Sequence, residues 1–136
     1  MREDNEFNKI MRITIVGNMS FLQKFEEAKE SLQKQGHEVI VPIKDPMPDP
    51  IPPSAKRKAM EKFNDNLKKS DAILVMNYTK GDKENHIGAN TLMEIGMAFI
   101  LQKKIFVLNP SPEFCRDELE AIEARFLNGD LSKITQ

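Results

Sequence analysis

Apolar positions along the chain come in short blocks whose period changes from block to block. MRITIVG, residues 11–17, is an apolar, β-branched run closed by a glycine and predicts a strand. In FLQKFEEAKESLQKQG, Phe21, Phe25, Ala28 and Leu32 recur at helical spacing, and Gly36 supplies the stop. HEVIVP predicts a second strand, closed by Pro42. The following KDPMPDPIPPS is too rich in proline for a helix or a central strand. Ser54 is the expected cap of a helix reaching Lys69, with Ala59, Met60, Phe63 and Leu67 as its buried face. DAILVMN, residues 71–77, is a third strand, apolar almost throughout. After the polar loop YTKGDKENHIG, a helix is predicted from Asn90 to about Gln102, then a strand in KKIFVLNP. A last helix is predicted from Glu113 to about Phe126, and FLNGDLSKI as a short edge strand or a surface segment.

Strands this apolar, alternating with helices, predict an α/β fold: a three-layer parallel sheet of four to five strands, helices on both faces, joined by right-handed crossovers. The expected strand order is 2-1-3-4-5. Residues 11–136 form the domain, and residues 1–10, polar and mixed in charge, are expected as a flexible leader. In such sheets ligands bind beyond the carboxyl ends of the strands, where strand order reverses. Gly17 to Ser20, Lys44-Asp45, Asn77-Tyr78 and Asn109 to Ser111 should therefore share one rim.

Composition narrows the function classes. A chain of 136 residues suits one domain with one sizeable core. Its net charge of −1 gives it no general attraction to nucleic acid or to an anionic membrane, so the expected partner is a small molecule. No apolar stretch is long enough to span a bilayer, and the N-terminus lacks the apolar core of a signal peptide. The single cysteine, Cys115, cannot form an internal disulfide, which fits a cytoplasmic location. Neither histidine has a sequence reason to lie beside it, which argues against a nucleophilic role. Two histidines and one cysteine, widely spaced, do not suggest zinc.

Candidate chemistry concentrates in NTLMEIGMAF, where Glu94 interrupts an otherwise nearly apolar run. Thr91-x-x-Glu94 has the spacing of a capping box, in which the glutamate reaches back to the helix start and stabilises it by roughly 1 kcal/mol. The surroundings support a second reading. Leu92, Met93, Ile95 and Met97 to Leu101 leave the helix without a polar face, so it is expected to be buried by the fold or by a second subunit. A carboxylate there is costly to ionise unless something stabilises it, and the helix start supplies about 0.3–1 kcal/mol. Gly96 costs about 1 kcal/mol against alanine inside a helix, which suggests close approach by another backbone or a ligand. A carboxylate so placed is a candidate nucleophile or general base.

ITIVGNMSF, SDAILVMNY and GANTLMEIGMAFILQKKIFVLN together resemble the nucleoside 2-deoxyribosyltransferase superfamily, which includes nucleotide N-glycoside hydrolases. The likeness runs in order from residue 11 to about residue 109, and its most specific part is Thr-x-x-Glu-x-Gly-x-Ala followed by Lys-Lys-Ile. The resemblance implies a flavodoxin-like sheet, no metal or redox cofactor, a homo-oligomer (a dimer above all), and Glu94 as the catalytic carboxylate acting at an anomeric carbon. Two departures stand out. Asn90 takes the place of a usual glycine, and Phe63 falls where the family carries an aspartate that assists the departing base. Asp65, the nearest carboxylate, lies about 200° further round a helix, and it or the intervening Asn64 is the expected residue to assist the departing base.

Gly17, Asn18, Met19, Ser20 and Phe21, together with Gly88, Asn90, Thr91 and Asn109, are the expected substrate-binding residues; an ordinary βα turn capped by Ser20 is the structural alternative for the first group. No GxGxxG fingerprint is present. Lys44 to Pro53 reads as a lid or as a stiff connector, and Lys56-Arg57-Lys58 as a phosphate contact or a solvated charge run. The expected function is cleavage or base exchange at the N-glycosidic bond of a nucleoside or nucleoside 5′-monophosphate. The alternatives are a non-catalytic nucleotide-binding module of the same fold and a phosphoribohydrolase of the cytokinin-activating type, for which GANTLME lacks the full glycine-rich lead-in.

Overall fold

Five parallel strands form one sheet in the order β2-β1-β3-β4-β5 in the computed structural model, which describes residues 10–43 and 46–134. The strands are β1 (Arg12–Val16), β2 (Glu38–Ile40), β3 (Ala72–Val75), β4 (Lys104–Val107) and β5 (Arg125–Phe126). The helices are α1 (Leu22–Lys34), α2 (Pro53–Lys68), α3 (Ala89–Ile100) and α4 (Arg116–Ala121). This is the predicted three-layer arrangement and strand order. Successive side chains of a strand alternate between faces, and both faces are apolar. Ile13, Ile15, Leu74 and Phe106 meet Phe25, Ala28 and Leu32 of α1. Val16, Ile73, Val75, Ile105 and Val107 meet Phe63 and Leu67 of α2, Ile95 and Ala98 of α3, and Leu119 of α4.

Several boundaries follow the sequence signals. The amides of Gly36 and His37 donate to the carbonyls of Gln33 and Leu32 at 2.9 and 3.1 Å, closing α1 where Gly36 predicted its end. Helix α2 starts two residues earlier than expected, because Pro52 is its cap and Pro53, whose missing N–H costs nothing in the first turn, opens it; Ser54 makes no capping bond. On its packed face Phe63 and Leu67 are buried and Met60 half-buried, whereas Ala59 is exposed.

The predicted last helix is much shorter. A 3₁₀ turn over Glu113–Cys115 leads into α4, which ends at Ala121, and Glu123 takes a positive φ of 58°. Arg125 and Phe126 then pair with Phe106 and Val107 of β4. The edge strand completes the sheet with backbone bonds that a longer helix would forgo, so tertiary pairing overrides the helical spacing of Leu119, Ile122 and Phe126. The predicted leader lies almost wholly outside the described residues, as do Lys44 and Asp45 of the proline-rich connector. No helix among the described residues is long and apolar enough to cross a membrane.

Candidate active site

The rim at the carboxyl end of the sheet begins at Gly17. Its φ is +152°, and a Cβ there would lie 2.9 Å from the Met76 carbonyl oxygen and 3.0 Å from the Phe25 ring. Only glycine lets the β1–α1 turn pass this close to β3. Sheet order reverses between β1 and β3, so the turn sits at the topological switch point. Asn18 caps the short 3₁₀ turn Met19–Phe21, its Oδ1 accepting from the Ser20 amide at 2.9 Å. Ser20 is thus held by a cap and is not itself the cap; its side chain is exposed. Phe21 and Tyr78 stand 5.2 Å apart between ring centroids, tilted by 51°, and the Lys24 ammonium lies 5.2 Å from the Tyr78 ring centroid. Burial, and secondarily the charge of Glu27, pushes the Tyr78 hydroxyl above its ordinary pKa.

Asn109 is tied into the scaffold. Parallel registry of Val75 with Val107 sets Asn77 level with Asn109 at the next exit. The wholly buried Asn77 Nδ2 donates to the carbonyls of Asn109 and Pro110 at 3.0 and 3.1 Å. In return the Asn109 amide donates to Asn77 Oδ1 at 2.9 Å, and Asn109 Nδ2 to the Asn77 carbonyl at 3.0 Å. The lock satisfies polar groups that would otherwise be buried unpaired, and it fixes the loops leaving β3 and β4. An asparagine at the same exit of two adjacent strands was the signal for it in the sequence.

Glu94 occupies the second turn of α3. The cap of that helix is Gly88, which makes no side-chain bond, and Thr91 is already its third residue, so Thr91-x-x-Glu94 is not a capping box. The Glu94 carboxylate makes no hydrogen bond to any described residue. It is half-buried, and burial pushes its pKa up to about 7 from an ordinary 4.5, with Lys56 of α2 pulling in the opposite direction. A carboxyl group held near neutrality is available in both protonation states at physiological pH.

Helix α3 is covered on one side only. Thr91, Ile95 and Ala98 are buried, but Met93 is 54% exposed and Ile100 75%. The expected burial of its whole circumference is therefore not met within one protomer, and no atom lies within 4 Å of a Cβ built on Gly96. Two hollows flank the helix. One, of about 450 Å³, lies at its start between the β3–α3 and β4–α4 connections, lined by His86, Gly88, Ala89, Pro112 and Phe114 among others. The other, of about 530 Å³, is an apolar groove bordered by Gly96, Met97, Ile100 and Leu101 of α3 and Asn64 of α2. Glu94, one turn before Met97 in α3, is not part of this lining.

The predicted site residues are thus distributed unevenly. Gly17 to Phe21 form one continuous turn at the switch point, while Gly88 caps α3 and Asn90, Thr91 and Glu94 lie in its first two turns. Asn90 is exposed and Thr91 buried. Asp65 is exposed on α2 and does not line the groove, where its neighbour Asn64 does. Tyr78 was expected on the rim, and Lys56 as part of a phosphate contact or a solvated charge run, but neither was among the expected catalytic or substrate-binding residues. No group of three or more His, Cys, Asp or Glu side chains among the described residues is arranged to hold a metal ion.

No protein-family model matches the chain, and no curated protein does. Among solved structures it is similar to the CMP N-glycosidase BcmB of Clostridium botulinum, with a TM-score of 0.56 and 17% identity over 90% of this chain and 96% of that one. At this identity the likeness speaks for architecture: the chain shares, over nearly its whole length, the fold of a CMP N-glycosidase, and that is the fold which the resemblance to the nucleoside 2-deoxyribosyltransferase superfamily implied.

Proposed function

We propose that this protein cleaves or exchanges the base at the N-glycosidic bond of a nucleoside or nucleoside 5′-monophosphate, with Glu94 as nucleophile or base. The observation that carries this reading is a half-buried carboxyl with no hydrogen-bond partner among the described residues, its pKa pushed up to about 7, in the opening turns of a helix at the sheet rim. The shared fold with a CMP N-glycosidase supports it.

In the proposed reaction the ionised Glu94 attacks the anomeric carbon as the carbon–nitrogen bond breaks. The bonding electron pair leaves with the base, which takes up a proton. Water then attacks the same carbon and frees Glu94, or a second base takes its place. Gly17 to Phe21 and Gly88 to Thr91 would hold sugar and phosphate through backbone amides. The proton for the departing base comes from Asp65, or from water positioned by Asn64. The test is incubation with a panel of nucleosides and monophosphates, following free base by chromatography. Base release by the wild type and none by Glu94→Gln is the expected result; equal release by both would remove Glu94 from the chemistry.

A second reading has one observation in its favour, namely that Glu94 lines neither hollow. A nucleotide-binding module would bind members of the same panel in calorimetry and release no base. We also propose that the uncovered face of α3, with Met93, Gly96, Met97 and Ile100 exposed or half-exposed and no charge among them, packs against a second copy. A dimer that Ile100→Asp dissociates in sedimentation is the expected result, and a wild type sedimenting only at 15.6 kDa at micromolar concentration would end this proposal.

A further inference from the structure

Lys56, Arg57 and Lys58 are adjacent and exposed, yet they are not equivalent. Lys56 lies at helical spacing (four, seven and eleven residues) from Met60, Phe63 and Leu67, so it continues the stripe by which α2 packs onto the sheet and α3. Arg57 and Lys58 are turned roughly 100° and 200° away from it. Helices α2 and α3 both return against the direction of the parallel strands and so run parallel to each other. Asn64 borders the same groove as Met97 and Ile100. Eight residues back from Asn64, about 12 Å along the axis, the chain is at Lys56, level with the opening turns of α3. Glu94 stands one turn from Ala98 and Thr91, on the neighbouring face.

Among the described residues, the other elements around Glu94 supply no counterion. It is the only charged residue of α3. Strands β3 and β4 present Ile73, Val75, Ile105 and Val107 to this side of the sheet. Lys83, Glu84, His86 and Glu113 line the separate hollow at the start of α3. Asp65 is exposed further along α2.

We propose that Lys56 is a positioning residue for Glu94: from the first turns of α2 it holds the carboxylate in its charged form at the head of the α2–α3 groove, while Arg57 and Lys58 are solvated. Its role rests on the catalytic reading of Glu94 only for its biological purpose; the electrostatic coupling itself is independent of turnover. By favouring the anion, Lys56 opposes the desolvation that raises the Glu94 pKa to about 7, and so widens the pH range in which the nucleophilic form exists.

The test is a carbon-13 NMR titration of the Glu94 carboxyl, assigned by its loss in Glu94→Gln, in the wild type, Lys56→Met, Lys56→Arg and Arg57→Met. The midpoint should rise by roughly half a pH unit in Lys56→Met, the size expected of one cation acting through a solvent-rich boundary. It should stay in place in Lys56→Arg and Arg57→Met. A midpoint unmoved by Lys56→Met, or moved equally by Arg57→Met, would overturn the proposal. The wild type provides a check that needs no substitution: raising ionic strength from about 0.05 to 1 M should screen the pair and lift the midpoint, and a midpoint insensitive to salt would count against Lys56. If the midpoints shift as expected while no nucleoside or nucleotide loses its base, the glycosidase reading fails and the coupling stands.

Discussion

At the amino ends of the strands, Asp71 Oδ2 accepts from the Arg12 amide at 2.8 Å and the Arg12 guanidinium bridges Glu38 and the Lys69 carbonyl. Beside them the Thr14 and Ser70 hydroxyls share a 2.7 Å bond, and the Met11 amide donates to Nδ1 of the buried His37, whose pKa burial holds down. At the carboxyl ends, Glu94 has no hydrogen-bond partner among the described residues, α3 starts without a side-chain cap, and Met93 faces outward. Asn77 and Asn109 are the exception there, locked by four bonds. Polar groups at the amino end are spent on holding strands together. At the carboxyl end one rigid joint fixes the loops leaving β3 and β4, while Glu94 accepts no hydrogen bond from any described residue. Carboxylates thus serve different purposes at the two ends, and the difference is set by whether a hydrogen-bond partner is supplied.

Substitutions at the two ends should separate these purposes. The largest effect is expected from Glu94→Gln, which should lower base release by about 10³-fold or more, as loss of a nucleophile does. The same change should stabilise the protein. Because the folded-state pKa of Glu94 is raised to about 7, the folded chain binds this proton more tightly than the unfolded one. Its contribution is therefore fully present below about pH 4.5 and lost as pH rises through 7, a loss of up to about 3 kcal/mol. Urea titrations should show Glu94→Gln gaining on the wild type across that window and level with it below. A constant difference at every pH would break the contrast between the two ends.

Asn77→Ala should cost about 2–4 kcal/mol in the same assay, since it strands the Asn109 amide and two carbonyls. Gly17→Ala should cost about 2–3 kcal/mol through its positive φ and the Met76 carbonyl. Asp71→Asn keeps an acceptor for the Arg12 amide but loses its charge. It should cost only about 1 kcal/mol and leave base release unchanged, which places Asp71 outside the site. The smallest effect is expected from Asp65→Asn, a few-fold loss of base release if Asp65 supplies the proton and none if water held by Asn64 does.

The layout of the sheet was legible because it rests on contiguous apolar blocks. AILV and KIFV read as covered strands without any knowledge of their neighbours, and Gly36 ended α1 where expected. The site was legible only as a neighbourhood. Glu94 stood out as a lone charge in an apolar run, but its capping alternative could be dismissed only once the helix was seen to start at Ala89. Asp65 and Asn64 differ by one position in sequence and by exposed surface against groove in space. Lys56 could not be told from Arg57 and Lys58 until the packed stripe of α2 had a second helix beside it.

Hydrophobic periodicity alone determined the parallel α/β sheet, its helices on both faces and the strand residues at the centre of its two cores, since burying apolar surface is a property each segment carries with it. The shortening of the last helix in favour of β5, the pairing of Asn77 with Asn109, the uncovered face of α3 and the shifted proton of Glu94 were decided by the tertiary structure. Each depends on which groups distant segments bring within a few ångströms, and hydrogen bonds and charges act only at that range.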